Sequence, residues 1–388
     1  MLGLGSPEQA ALLDQMQAKG QLGCFALTEK LAGVNSGLVV QTTATWIPEK
    51  QAFILDSPTE GSHKNWISQG LTADKAAVIA DLRINGKSYG PHGFLVDMRT
   101  EDGKVLPGVV LGDMGLKTTG NDLDNAWIKF DKMVIPKSAL LSRFADIRND
   151  QYVQTTKEKM RIEVIGQRLL TGRVAVAQAA LQFTRNLYAQ TKEYTDKKQC
   201  WSPKGNVPLG SIPHIRALYI DADRTLSHLE HFTRVVEAEL CKYLVKNEIP
   251  PASLVQAIAV AKISAVENSI ELAFKLKKEV GSYSLMGGTG FDSGSDFLFC
   301  CSFAEGDSRI LQNKLARDAL RAFSLIKSIS QVPAGQEKEA MLCQKLNDAG
   351  KDGWDSSWTT VYELAGAIQA RVIREWTARP LGGAVSSL

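Results

Sequence analysis

Two textures of hydrophobic patterning meet near residue 145, and each permits a different architecture. Between about residues 23 and 136 the apolar side chains fall in short runs rich in Val, Ile, Thr and aromatics. These are "GLVVQTTATW" (37–46), "QAFIL" (51–55), "KAAVIADLRI" (75–84), "HGFLVDMR" (92–99) and "WIKFDKMVI" (127–135). Such runs suit pleated, half-buried surfaces and predict strands. Turn chemistry separates them at Pro48-Glu49-Lys50, Asn85-Gly86-Lys87, Glu101-Asp102-Gly103 and Asn121-Asp122. No helix-length pattern intervenes, so a mostly antiparallel barrel or sandwich is expected.

Past residue 150 the period becomes helical. Long helices are expected over 158–194, 215–245 and 251–281, and one more over 358–376. Gly166 and Gly172 in the first leave room for close approaches. Three long helices joined by short loops predict an antiparallel bundle. A glycine-rich loop, 281–296, interrupts it. The chain therefore reads as an α+β multi-domain protein, with a β-domain over 22–145 and an α-helical bundle over 150–388. Ahead of both, Ser6-Pro7-Glu8-Gln9 reads as an N-cap, a first-turn proline and a capping-box Gln, with Gly20 as the stop.

A length of 388 residues allows two real cores. The balance of 45 basic to 42 acidic residues is too even to make nucleic acid or an anionic membrane the main partner. No apolar stretch approaches membrane-spanning length, and the first twenty residues lack the pattern of a secretory signal. The six cysteines show no C-x-x-C spacing and fit free or buried thiols in a reducing compartment, with Cys300-Cys301 read as packing.

The stretch "FLFCCSFAEGDSRILQ" (297–312) runs from bulky apolar residues straight onto Glu305, Gly306 and Asp307. Two readings stay open. Asp307 and Ser308 are good N-caps for a following helix, and Glu305 then simply benefits from the positive end of its dipole. Alternatively, the apolar run desolvates the carboxylate and makes it a base. Elsewhere, "GGTG" (287–290) offers backbone N–H groups to a phosphate, but Gly288-x-Gly290-x-x-Ser293 is not a dinucleotide fingerprint. His228 and His231 share a helix face without a further clustered ligand. "NWISQG" (65–70) places an indole and a hydroxyl in a loop between strands. It reads either as a core Trp with a turn Ser or as a wall for a flat aromatic ligand.

Five segments, in consistent order between about 22 and 330, resemble the acyl-CoA oxidase and acyl-CoA dehydrogenase family. They are "GCFALTEKLAGVNSGLVVQTTATWIPEKQAFILDSP", "NWISQG", "GDMGLKTTGNDLDNAWIKFDKMVIPKSALL", "GGTGF" and "EGDSRILQ". The E-G-D form is closer to the oxidases than to the dehydrogenases. That family binds FAD between the β-domain and the helical bundle and oxidises an acyl-CoA thioester to the trans-2-enoyl-CoA.

The resemblance implies that Thr28 and the Trp66–Ser68 segment meet the isoalloxazine ring, with the Ser68 hydroxyl near N5. Gly287 and Gly288 then approach the adenine end of FAD from a neighbouring subunit, which implies a homodimer. Glu305 becomes the α-proton base, and Asp307 joins the cofactor contacts. Lys198, ahead of Trp201, stands where relatives carry an arginine before a Phe, keeping the charge without the bidentate fork. A family glutamine falls near His214. The segment T-E-x-G-x-G-S is one residue longer here, so Asn35 or Ser36 takes the substrate contact. Relatives carry a helical domain ahead of "GCFALTE", and residues 1–21 are expected as its remnant.

The expected activity is acyl-CoA oxidation with oxygen as acceptor. The alternatives are a dehydrogenase serving an electron-transfer flavoprotein, or a degenerate homologue acting as a subunit of a larger assembly. Ser386-Ser387-Leu388 resembles a peroxisomal address of the S-K-L type; the mitochondrion or another organelle is the alternative.

Overall fold

The computed structural model describes residues 3–34, 36–37, 39–155, 170–246, 248–289, 291, 294–324, 332–350 and 353–380. It divides into two compact units, 1–168 and 169–388.

The first unit begins with helix α1 (Pro7–Ala18), capped as its sequence predicts. The Ser6 hydroxyl accepts from Gln9 N, and the Gln9 side chain answers Ser6 N. The same Gln9 amide also donates to Leu140 O (2.7 Å) and Ser138 O (3.1 Å), so this helix is fastened to its own unit.

The strands follow. They are β1 (Gly23–Ala26), β2 (Thr43–Ile47), β3 (Ala52–Asp56), β4 (Lys64–Ser68), β5 (Lys75–Ile84), β6 (Lys87–Asp97), β7 (Val109–Asp113), β8 (Asn125–Phe130), β9 (Met133–Pro136), β10 (Ala145–Arg148) and β11 (Gln151–Gln154). Six form one sheet in the order β1-β5-β2-β3-β9, with β6 on β5. Three form a second in the order β4-β8-β7, and β10-β11 is a ribbon.

Most pairings are antiparallel as expected, but β1 and β2 both pair parallel to β5. The run 127–135 is not one strand. Lys132, with φ +50°, breaks it, so that β8 joins the second sheet and β9 the first. The expected strand 37–46 begins only at Thr43, because the N–H groups of Gln41 and Thr42 bind the Glu29 carboxylate instead of a neighbouring strand (2.7 and 2.9 Å). Trp46, Phe53 and Phe94 stack edge to face at 5.0 and 5.2 Å in the core. The β10-β11 ribbon carries this unit beyond residue 145, the boundary expected from patterning.

In the second unit the long helices are α2 (Leu170–Lys197), α3 (Pro213–Val245) and α4 (Ala252–Glu279). Between α2 and α3 stands the hairpin β12 (Gln199–Ser202) and β13 (Gly205–Pro208). Then come α5 (Gly294–Phe303), α6 (Ser308–Phe323), α7 (Glu337–Asp348) and α8 (Trp358–Thr377). The part of the expected helix 158–194 before residue 170, with Gly166, lies outside the described residues. Helices α5 and α7 were not expected from the pattern.

The central member is α4. Residues 257–266 are all buried, and α2, α3, α5, α6 and α8 pack around it. A helix apolar on every side belongs in a bundle interior. Among the described residues no helix is long and apolar enough to cross a membrane.

Candidate functional site

Each unit presents one group of the expected site residues. In the first, the organising feature is a fully buried ion pair. Lys64 Nζ lies 2.9 Å from Glu29 Oε1, and neither side chain reaches solvent. The ammonium also donates to Leu27 O (3.2 Å) and Ile79 O (2.7 Å), and the carboxylate accepts from Gln41 N and Thr42 N. Desolvation is costly for such a pair and is tolerated because both charged groups are hydrogen-bonded on every side that the fold presents to them. Burial pushes the Lys64 amine down to about 8, against the pull of Glu29.

This clamp sets the start of β4 against the chain leaving β1, where Asn65 N donates to Thr28 O at 2.9 Å. The register of β4 then slips between Lys64 and Ile67. Trp66 takes φ +58°, its N–H turns to Met114 Sδ (3.1 Å), and its indole is left 55% exposed. Ile67 returns to the core, and Ser68 stands exposed, accepting from Asn125 Nδ2 at 3.4 Å. Trp66 is thus neither a core Trp nor a loop residue. A β-bulge re-aims it outward. Trp66 and Ser68 are thus both exposed along β4, with Thr28 bonded to the same strand through its carbonyl. Ser36 instead bonds within its own turn, to Gly33 N and O and to Gly37 O. Asn35 lies outside the described residues.

In the second unit Glu305 sits in the turn between α5 and α6. It has φ +56°, and Gly306 follows at +104°. A non-glycine residue in the left-handed region costs on the order of 1–2 kcal/mol. Asp307 ends the turn by capping α6, its carboxylate accepting from Arg309 N (2.8 Å) and Ile310 N (3.4 Å). The N-cap reading of Asp307 therefore holds, and Glu305 is a separate matter.

Its carboxylate makes no hydrogen bond or ion pair among the described residues. It lies over Gly172 of α2, where an added Cβ would stand only 2.6 and 2.7 Å from the two carboxylate oxygens. Arg173 Nε, next in that helix, donates to the Glu305 backbone carbonyl at 2.9 Å. Burial raises the Glu305 pKa above the usual carboxylate range, opposed by Arg173 and Lys262. The same burial pushes Arg173 down, opposed by Glu305.

The apolar run 297–303 shields the carboxylate less than its sequence promised. It is helix α5, whose Leu298 and Cys301 face the bundle core, while Phe299 and Phe303 are 47% and 57% exposed. One neighbour of the carboxylate is Gly172, which patterning marked as leaving room for a close approach.

Of the remaining expected residues, Lys198 follows α2 and its carbonyl accepts from Leu209 N. Trp201 lies on β12, largely exposed. Gly287 and Gly288 form an open turn after a short 3-10 helix (Gly281–Leu285), Gly288 at φ +81°, with no atom within 4 Å of a Cβ added at either. Lys198, Trp201 and Gly287 are not brought to Glu305 by any hydrogen bond or ion pair among the described residues. His231 faces the Thr377 carbonyl at 3.3 Å. Arg173, Lys262 and the Lys64–Glu29 pair carry no signal in the sequence, and Gly172 reads there only as a point of close approach.

This fold is shared by known enzymes. The solved acyl-CoA oxidase-1 of Caenorhabditis elegans, complexed with FAD and ATP, superposes with a TM-score of 0.79 at 20% identity, covering 96% of this chain and 62% of that one. In sequence, an acyl-coenzyme A oxidase of Candida glabrata is 29% identical over 330 residues, which is 79% of this chain and 44% of that protein. The peroxisomal acyl-coenzyme A oxidase 3 of Arabidopsis thaliana is 32% identical over 189 residues, 48% of this chain and 28% of that protein. No protein-family model matches. In sequence the chain is similar to acyl-CoA oxidases, and it shares their fold. It spans less than half the length of these two curated relatives.

Proposed function

We propose that this chain takes part in the FAD-dependent oxidation of an acyl-CoA thioester to the trans-2-enoyl-CoA, with dioxygen as acceptor and hydrogen peroxide as product. The observation that carries the reading is Glu305. Its backbone is strained, and its half-buried carboxylate has a raised pKa, lies over a glycine and makes no hydrogen bond or ion pair among the described residues.

A base for an α-hydrogen must be free to take a proton and must hold it well near neutral pH. Ion pairing would defeat both needs. Here the nearby cation of Arg173 binds the backbone of Glu305 and leaves the carboxylate for the substrate. The Cα–H proton passes to Glu305 Oε as the Cα–Cβ double bond forms and the β-hydrogen leaves as hydride. Hydrogen-bond donors at the thioester carbonyl stabilise the charge that develops there.

The outward Trp66 indole, the Ser68 hydroxyl and the neighbouring Thr28 suit a flat aromatic group such as the flavin ring, and a bulge held by a buried ion pair suits a fixed platform. FAD, when bound, accepts the hydride and passes two electrons to dioxygen. Lys198, Trp201, Gly287, Gly288 and Asp307 are assigned to the same cofactor by resemblance to the family, and Asn35 or Ser36 to the substrate. A homodimer, membership of a larger assembly and a peroxisomal address belong to this proposal too. The compartment is favoured by the name of the Arabidopsis relative.

The test uses the full chain purified with FAD and supplied with acyl-CoA thioesters of several lengths. Peroxide formation is expected, and Glu305→Gln is expected to keep FAD while losing at least about a hundredfold in kcat. A Glu305→Gln variant that turns over at the parent rate removes Glu305 from the role. A parent that binds FAD and is bleached by acyl-CoA yet makes no peroxide supports the dehydrogenase alternative.

A further inference from the structure

The least expected side chain in the bundle is Lys262. It lies within the ten consecutive buried residues of α4, and none of it reaches solvent. Lysine is almost never fully buried unless something demands it, and an apolar residue of similar volume fills such a site more cheaply. Its partners are informative. Nζ donates to Ser302 O (2.6 Å), Gly306 O (3.0 Å) and Ser308 Oγ (3.2 Å). None is a carboxylate. The first lies in the last turn of α5, the second in the left-handed turn and the third at the first residue of α6, so they bracket Glu305 on both sides.

We propose that Lys262 is a positioning residue, tying the end of α5 to the start of α6 so that the Glu305 carboxylate stands at one fixed place. The proposal rests on the reading of Glu305 as the base. Two orphan carbonyls need a donor here, since helix ends and tight turns leave C=O groups unpaired. A serine or amide side chain on α4 would be too short to reach three acceptors at once. An ammonium supplies three protons on a four-carbon stem.

Arg173 holds the carbonyl of Glu305 itself from α2, and Lys262 holds the residues around it from α4. Ser302 Oγ adds a bond to Glu267 on α4 at 3.0 Å. Pinned at these points, the turn keeps two successive left-handed residues that an untied chain would relax. Both cations bond to oxygens other than those of the Glu305 carboxylate, which makes no hydrogen bond among the described residues.

The experiment compares Lys262→Met and Lys262→Arg in the FAD-loaded full chain. Three readouts are taken: kcat and KM with an acyl-CoA, the pH profile of kcat, and amide hydrogen exchange over 303–308. Lys262→Met is expected to lower kcat at least about tenfold with KM changed less than about twofold, because a base displaced by an ångström loses that much. Its acid limb moves to higher pH, since the cation that holds the Glu305 pKa down is gone. Exchange over 303–308 rises. Lys262→Arg restores most of each.

Lys262→Met with parental kcat and parental exchange overturns the proposal. If that variant does not fold, Ser308→Ala decides. It removes one acceptor and is expected to raise exchange at the turn, and unchanged exchange overturns the idea. If the parent itself turns over no acyl-CoA, the functional reading falls. The exchange comparison then still decides whether Lys262 fixes the turn, a rise in Lys262→Met supporting it and no rise overturning it.

Discussion

Among the described residues each unit buries one lysine completely, and the two are answered in opposite ways. Lys64 in the β-unit meets a carboxylate, Glu29, equally buried and fully hydrogen-bonded. Lys262 in the bundle meets only two carbonyls and a hydroxyl. Burial pushes both amines down to about 8. In the first case the charge is neutralised where it stands, and the result is a rigid seam under Trp66. In the second the positive field is left to act on its surroundings, and Glu305 is one of the groups that feels it. A charge paired in direct contact builds structure, whereas one that bonds only dipoles, with the Glu267 and Asp307 carboxylates acting at a distance, also sets the electrostatics of a site.

The comparison breaks first at Lys64. Lys64→Met leaves Glu29 charged and buried without its counter-ion, which for such pairs costs about 3–5 kcal/mol. The same change at Lys262 strands no carboxylate and leaves three acceptors under-satisfied, so its cost should be smaller. Urea denaturation of the two variants measures both. Equal losses would mean that Lys262 is ion-paired in all but name. Replacing Lys64 and Glu29 together by apolar residues should recover most of the single-variant loss.

Proton linkage sharpens the contrast. An unfolded lysine titrates near its ordinary value of 10.5 and Lys262 in the folded chain at about 8. Between those values the unfolded chain holds a proton that the folded chain has released, so the free energy of unfolding rises with pH across that window. At about 1.4 kcal/mol for each unit of difference, the full window is worth about 3 kcal/mol. Lys262→Met should lack this rise, and Lys64 cancels from the comparison because it is present in both proteins. Stability measured from about pH 7.5 to about pH 10.5 provides the check, and parallel curves would show that Lys262 is not held down.

Much of this was legible in the residues. The run 75–84 is β5, 215–245 and 251–281 mark α3 and α4 to within two residues at each end, and the Ser6–Gln9 capping box is present. These features depend on neighbours a few positions apart, which a sequence displays directly. What depends on distant partners did not show. The N–H groups of Gln41 and Thr42 leave the strand pattern because Glu29, twelve or more residues away, takes them. The outward turn of Trp66 needs a register slip against β8. Lys262 in an apolar helix looks like a residue at the rim of a buried face, and only its three acceptors 40 to 46 residues later reveal its place. The motif singles out Glu305 but does not display its surroundings. The apolar run beside it was expected to bury it, and the structure puts Gly172 in that position.

Gly172 therefore gives the smallest and cleanest effect. Its missing side chain is the space the carboxylate occupies, and an added methyl group would overlap the far end of a flexible Glu side chain rather than any backbone. The fold can yield at little cost, and alanine is the better helix former by up to about 1 kcal/mol. Gly172→Ala should thus leave the urea midpoint level or slightly raised. Yet the carboxylate must move by an ångström or so, and a reacting group displaced that far loses about ten- to a hundredfold in rate. Stability unchanged with kcat reduced is the signature of a site that depends on one glycine for its room, whereas disrupting the Lys64 seam should lower stability first. A Gly172→Ala protein with both properties at parental levels would mean that Glu305 has room to spare, and that the close approach of α2 to the turn has no bearing on the chemistry.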